Sequence, residues 1–180
     1  MMKIRTGFIS NSSSSSSSFV VVFPHKPKSV EDLKQMMFGK QEWHYTGIHN
    51  ENGNDYPTQR IAEYVFSQMK NKKATKEEIT ESIEGGWFDA YCILPGHYDD
   101  WDEWQNIKQD DPDCNNKLDE IFKKSSEINS KRVKDIVEAF VGGNEGKYFS
   151  IFSFSDNEGE GVYDHMDIFQ RLEHIKTSYH

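Results

Sequence analysis

The chain has 180 residues, 35% hydrophobic and 13% aromatic, with 30 acidic against 21 basic side chains and a formal charge of -9; it is long enough for one domain with a real core and too aromatic to be wholly disordered. That charge repels a phosphate backbone, so direct nucleic-acid binding is not expected, and the longest apolar run, Phe19 to Phe23, is far too short to cross a bilayer. No apolar leader follows "MMKIR", and Cys92 and Cys114 form neither a CxxC pair nor a zinc pattern, which fits a cytoplasmic protein with two free thiols better than one with a Cys92–Cys114 disulfide.

The first predicted element is "FVVVF", a continuous β-branched run closed by Pro24, as expected of a strand covered on both faces. Ser29 and Asp32 make a capping-box-like start to a helix over 30–38, with Leu33, Met36 and Met37 as its apolar stripe and Gly39 as its stop. Residues 40–57 read as a loop containing a short strand at Trp43 and Tyr45. The spacing of Ile61, Ala62, Val65, Phe66 and Met69 predicts a helix over 59–70, and Thr75 with Glu78 caps another over 76–84. "WFDAYCIL" has the composition of a strand.

Residues 97–113 crowd carboxylates around Trp101 and Trp104 and read as an exposed acidic insertion. From Leu118 to Phe140 the apolar residues keep a 3.6-residue period, predicting one helix over 116–141 or two with a break near Asn129. "KYFSIFSFSD" alternates and "NEGEG" turns, predicting a β-hairpin over 147–165, and the tail "HIKTSYH" offers an edge strand. The fold class expected is α+β, a mostly antiparallel sheet with helices packed on it, forming a single domain over 1–180.

Seven consecutive serines, Ser12 to Ser18, separate "MMKIRTGFISN" from the first strand. Composition suggests a flexible linker, yet Ile4, Phe8 and Ile9 upstream have apolar surface to bury. Small serines also let neighbouring elements approach closely, with hydroxyls that satisfy backbone groups. A third reading makes Arg5, Ser10, Asn11, Ser12, Ser13 and Ser14 an anion cradle, with hydroxyls and main-chain N–H groups around an arginine fork. Against that, Gly7 is the only glycine nearby and no GxxxxGK[ST] loop is present.

The opening "MKIRTGFISNSSSSSSSF" resembles the N-terminal signature of an uncharacterised family of phage and bacterial proteins, whose start runs M-K-x-R-x-G-F-x-S-N-S-S-S-S-S-F; the match covers about a tenth of the chain. Members of that family often carry a C-terminal acidic strand-turn segment and end in a His pair, which "FSDNEGEGVYDHMDIFQRLEHIKTSYH" resembles except that Tyr179 precedes His180. The resemblance implies no activity. It implies a phage or prophage origin, hence the cytoplasm of an infected or prophage-bearing bacterium, and a serine segment that is a fixed feature.

The last residues gather Asp156, Glu158, His165, His174 and His180, ligand types that suit Zn, Mn or Fe, so a divalent metal is a candidate cofactor. Their spacing matches no HExxH, HxH or EF-hand motif, and a solvated acidic turn with two packed histidines is the competing reading. "EGE" beside an arginine and a serine run is similar to ADP-ribosyltransferases, but Arg5 lies only seven residues before the serines, too close for the two strands such a site requires. No Gly-x-Ser-x-Gly elbow supports a hydrolase.

Two functions follow as expectations. The first is a small phosphate-bearing ligand or metal held between the serine segment and the C-terminal Asp/Glu/His hairpin. The second is a non-catalytic host-protein partner, in which Asp99, Asp100, Trp101, Asp102, Glu103 and Trp104 form a charged aromatic patch that imitates phosphate spacing. Neither involves a membrane.

Overall fold

The computed structural model describes residues 16–45, 55–84, 101–108, 111–155 and 168–179. The chain is an α+β fold organised around β1 (Ser16–Phe23), the middle strand of a three-stranded antiparallel sheet. On one side β1 pairs with β4 (Tyr148–Ser155), on the other with β5 (His174–Tyr179). A strand paired along both edges can only turn its side chains toward the two faces of the sheet, and alternation then divides them into two sets.

Phe19, Val21 and Phe23 face one helical layer, α1 (Val30–Phe38) and α2 (Thr58–Gln68), where Leu33, Met37, Phe38, Ile61 and Val65 meet them with Phe152 and Phe154 of β4. Val20 and Val22 face the other layer, α3 (Lys76–Glu84) and α5 (Cys114–Gly142), packing with Ile79, Ile83, Val133, Val137 and Phe149. The unbroken "FVVVF" run is therefore the signature of a strand with a core on each side, as expected. Each of these five residues is at most 3% exposed. At about 25 cal/mol per Å² of buried apolar surface, each of these side chains stabilises the core by about 1.5–3 kcal/mol.

The helix boundaries follow their caps. Ser29 Oγ accepts from Asp32 N–H at 3.2 Å, and Asp32 Oδ2 accepts from Lys28 N–H at 2.9 Å. That backbone hydrogen bond is the main reason the Asp32 carboxyl is held below its ordinary value. Gly39 ends α1 at φ 62°, a backbone conformation that glycine adopts without a Cβ penalty. At α3, Thr75 and Glu78 form the reciprocal box: Glu78 N–H donates to Thr75 Oγ1 at 3.2 Å and Thr75 N–H to Glu78 Oε2 at 3.0 Å. Between α1 and α2, β2 (Trp43–Tyr45) and β3 (Asp55–Pro57) form a two-stranded ribbon.

Of the two alternatives for the long helix, the single one holds: α5 runs 29 residues through Asn129, roughly 43 Å at 1.5 Å per residue. Asn129 is buried in one stripe with Val133 and Val137, so the polar residue that resembles a helix break is a core position. Ile168 and Phe169 sit in a turn and are buried beside β1, with Leu172 N–H donating to Phe169 O at 2.8 Å.

The first arm of the expected hairpin is β4, and its partner is β1; residues 156–167 lie outside the described residues, as does "WFDAYCIL". The tail adds the edge strand β5, as expected. Within the acidic insertion, α4 (Trp101–Gln105) is a short helix fastened to α5 by Glu103 Oε1 and Lys124 Nζ at 2.7 Å. Among the described residues no helix is long and apolar enough to cross a membrane.

Candidate functional site

The last three serines of the run are the first residues of β1, and the register sets each of them against the C-terminal strand. Ser16 lies opposite Tyr179, Ser17 opposite Ser178 and Ser18 opposite Thr177. On the other edge the same residues face Ser155, Phe154 and Ser153. At this end of the sheet, hydroxyl-bearing residues replace the apolar ones that fill the rest of β1.

Ser18 is the centre of the cluster and only 5% exposed. It falls on the face of Val20 and Val22, toward α3 and α5. Its Oγ lies 3.0 Å from Ser153 Oγ of β4 and 3.3 Å from Ser82 Oγ of α3, and donates to Phe152 O at 3.3 Å. Thr177 Oγ1 of β5 donates to Ser18 O at 3.4 Å. Asn129 of α5, one turn before Val133 in the buried stripe of that helix, donates from Nδ2 to Ser125 Oγ at 3.4 Å. Four elements, β1, β4, β5 and α3, thus bring small polar side chains together around Ser18 at one end of one face of the sheet.

Ser17 is 2% exposed and belongs to the opposite face, with Phe19. Ser17 and Ser18 are thus strand residues buried in the sheet, and for them the packing reading of the serine run holds. Arg5, Ser10, Asn11, Ser12, Ser13 and Ser14 lie outside the described residues, immediately before this strand.

Of the proposed metal ligands, Asp156, Glu158, His165 and His180 also lie outside the described residues. His174 begins β5 opposite Val21. Its Nδ1 is 2.9 Å from Leu172 O, which makes Nδ1 the donor, and its ring packs 6.2 Å from that of Phe19 and 6.3 Å from that of Phe169. Among the described residues no three His, Cys, Asp or Glu side chains are grouped to hold a metal ion.

Comparison of the chain with protein-family models, with curated proteins and with solved structures gave no match. The geometry alone carries the reading of the site.

Asp99 and Asp100 of the acidic patch lie outside the described residues, and Trp101 opens α4. Asp102 is exposed, Glu103 is tied to Lys124, and Trp104 is 41% exposed. On α5, Phe122 is 53% exposed. The N-terminal half of that helix, before Asn129, buries no residue among those described, so α5 outreaches the eight-residue β1, which spans roughly 27 Å.

Ser82, Ser153, Asn129 and Thr177 were not singled out by sequence reasoning. A signal existed for two of them. Alternation in "YFSIFSFS" puts Ser153 on the face of Ile151, and the i, i+4, i+8 spacing puts Asn129 in line with Val133 and Val137. Ser82 and Thr177 join only through pairing and packing of segments far apart in sequence.

Proposed function

We propose that the protein is a binding protein of phage type that holds a small phosphate-bearing ligand or a divalent metal where the serine-rich segment adjoins the C-terminal Asp/Glu/His segment. The observation that supports it is the register of Ser16, Ser17 and Ser18 against Tyr179, Ser178 and Thr177. Ser16 and Tyr179, the described residues nearest to Ser12, Ser13 and Ser14 and to His180, lie side by side at one end of the sheet. Serine hydroxyls and Arg5 would serve a phosphate; Asp156, Glu158, His165 and His180 would serve a metal.

The test is metal analysis of the purified chain, followed by thermal unfolding with divalent metals, inorganic phosphate and nucleotides. A ligand present at 100 times its dissociation constant stabilises the folded state by about 2.7 kcal/mol. The rise in Tm is expected to disappear when Ser12, Ser13 and Ser14 are changed together to alanine, or, for a metal, when His165→Ala and His180→Ala are combined. No bound metal and no stabilisation by any of these ligands would remove the reading.

A second reading, the host-protein partner, is favoured by the exposure of Trp104 and Phe122 on α4 and α5. Changing Asp99, Asp100 and Asp102 to Asn and Glu103 to Gln is then expected to abolish capture of that partner from host lysate. Trp104→Ala is expected to weaken capture by at least about tenfold, the scale of an aromatic anchor. Unchanged capture by both variants would exclude the patch.

A further inference from the structure

Two loops meet at the end of the sheet where Phe23 lies opposite Tyr148, the far end of β1 from Ser16. One joins β1 to α1 and the other joins α2 to α3. Residues 24–28 and 69–76 carry six of the chain's 21 basic side chains, Lys26, Lys28, Lys70, Lys72, Lys73 and Lys76, and no acidic one. All six are exposed, in a chain whose net charge is -9.

Both loops are held in place by main-chain contacts. Lys26 Nζ donates to Asn71 O at 2.8 Å, fastening one loop to the other. Pro24 and the buried Pro27 restrict φ in the first loop. The second is tied to β4, with Ala74 N–H donating to Phe149 O at 2.9 Å and Tyr148 Oη donating to Lys70 O at 3.1 Å. A surface whose backbone is already ordered loses less entropy when a partner docks on it.

The carboxylates that bond to these loops are occupied. Asp32 Oδ2 accepts from Lys28 N–H at 2.9 Å and lies 3.2 Å from His25 Nε2, Glu78 pairs with Lys72 at 2.6 Å, and Glu138 pairs with Lys76 at 2.8 Å. The ammonium groups of Lys26, Lys28, Lys70 and Lys73 form no ion pair with any described carboxylate. Lys73 Nζ sits instead 5.0 Å from the centre of the Phe149 ring. Four such cations on two fixed loops oppose the overall charge locally and draw negative groups to this end of the molecule.

The side-chain types select among negative partners. Lysine is a compact charge on a flexible stem and suits carboxylates of variable spacing, whereas phosphate recognition favours the planar arginine fork, and these loops hold no arginine. The large apolar residues exposed among those described are Trp43, Trp104 and Phe122, and none is in either loop. The surface therefore offers no platform for stacking bases and no apolar anchor for a bilayer.

We propose that this lysine surface docks an acidic, carboxylate-rich segment of a partner protein. It is separate from both sites under Proposed function, lying at the opposite end of the sheet from the serines and on loops that include neither α4 nor α5.

The test is fluorescence anisotropy of a labelled peptide of glutamate and aspartate, titrated with the full chain at low and at physiological ionic strength. Saturable binding that weakens with salt is expected. Lys70→Glu combined with Lys73→Glu should weaken it at least about tenfold, and Lys28→Glu on the other loop should weaken it as well. Lys123→Glu combined with Lys131→Glu makes the same change of net charge on exposed positions of α5 and should leave the affinity within about twofold at physiological salt. All three variants should keep the far-ultraviolet circular dichroism of the parent, because the changed side chains are exposed.

Equal losses in the two double variants would mean a response to net charge alone, and absence of saturable peptide binding would mean that nothing docks there; either result overturns the proposal. Tighter binding of a single-stranded oligonucleotide or of phosphatidylserine vesicles than of the peptide would also overturn it, by assigning the lysines to a nucleic acid or to a membrane.

Discussion

Phe19→Ala is expected to lower the free energy of unfolding by about 3–5 kcal/mol, a large share of the roughly 5–15 kcal/mol that holds a domain folded. Phe19 is fully buried at the middle of the central strand. Its ring centre lies 5.3 Å from that of Phe169 and 5.7 Å from that of Phe154, and Phe152 is its cross-strand neighbour on β4. Lys176 Nζ closes the remaining side, 5.3 Å from the ring centre. Truncation leaves a cavity that two neighbouring strands and a turn, each fixed by its own hydrogen bonds, have little freedom to fill. Urea denaturation read by tryptophan fluorescence measures the loss. The exposed Phe122→Ala serves as the contrast and should stay within about 0.5 kcal/mol of the parent. Equal losses in the two variants would mean that β1 is not the centre of the core.

The second large effect is at Asn129→Pro, which should cost about 3 kcal/mol or more. Proline there removes the backbone N–H that bonds to the carbonyl of residue 125 and pushes its ring against that carbonyl in the middle of α5. The substitution also deletes the Nδ2 that donates to Ser125 Oγ. Val133 and Val137, the apolar contribution of α5 to the second core, lie on the C-terminal side of the damage. Far-ultraviolet circular dichroism with chemical denaturation tests it. A loss below about 1 kcal/mol would mean two helices jointed near Asn129 in place of one.

What could be read from sequence is what depends on local periodicity. Leu33 and Met37, Ile61 and Val65, Ile79 and Ile83, and Val133 and Val137 each recur four residues apart, and each pair is buried on the face that spacing predicts. Thr75 and Glu78 cap α3 because three-residue spacing is all that a reciprocal cap needs. Pairing order is different. Alternation in β4 says which side chains share a face and nothing about which strand lies alongside.

The candidate site shows the same division. The serine run was visible as composition, but its last residues became strand only through the register with residues 153–155 and 177–179. Asn129 left two readings open, because a polar residue in a helical stripe fits an interruption as well as a core position until its burial is known. Ser150 carried no signal at all, since an alternating serine in a strand is ordinarily solvent-facing, and here it is buried on the face of Phe152 and Phe154.

The central strand stands near the start of the chain, while both of its partners come from the last third, so that Ser18 meets Ser153 across 135 positions and Thr177 across 159. During synthesis this β-branched segment therefore leaves the ribosome before either of its partners and stays unpaired until β4 and β5 have been translated. Such long closures make for slow assembly, and they tie the fate of the opening residues to the closing ones: stalled translation products ending before His174 would expose a β-branched edge and become clients of chaperones or proteases.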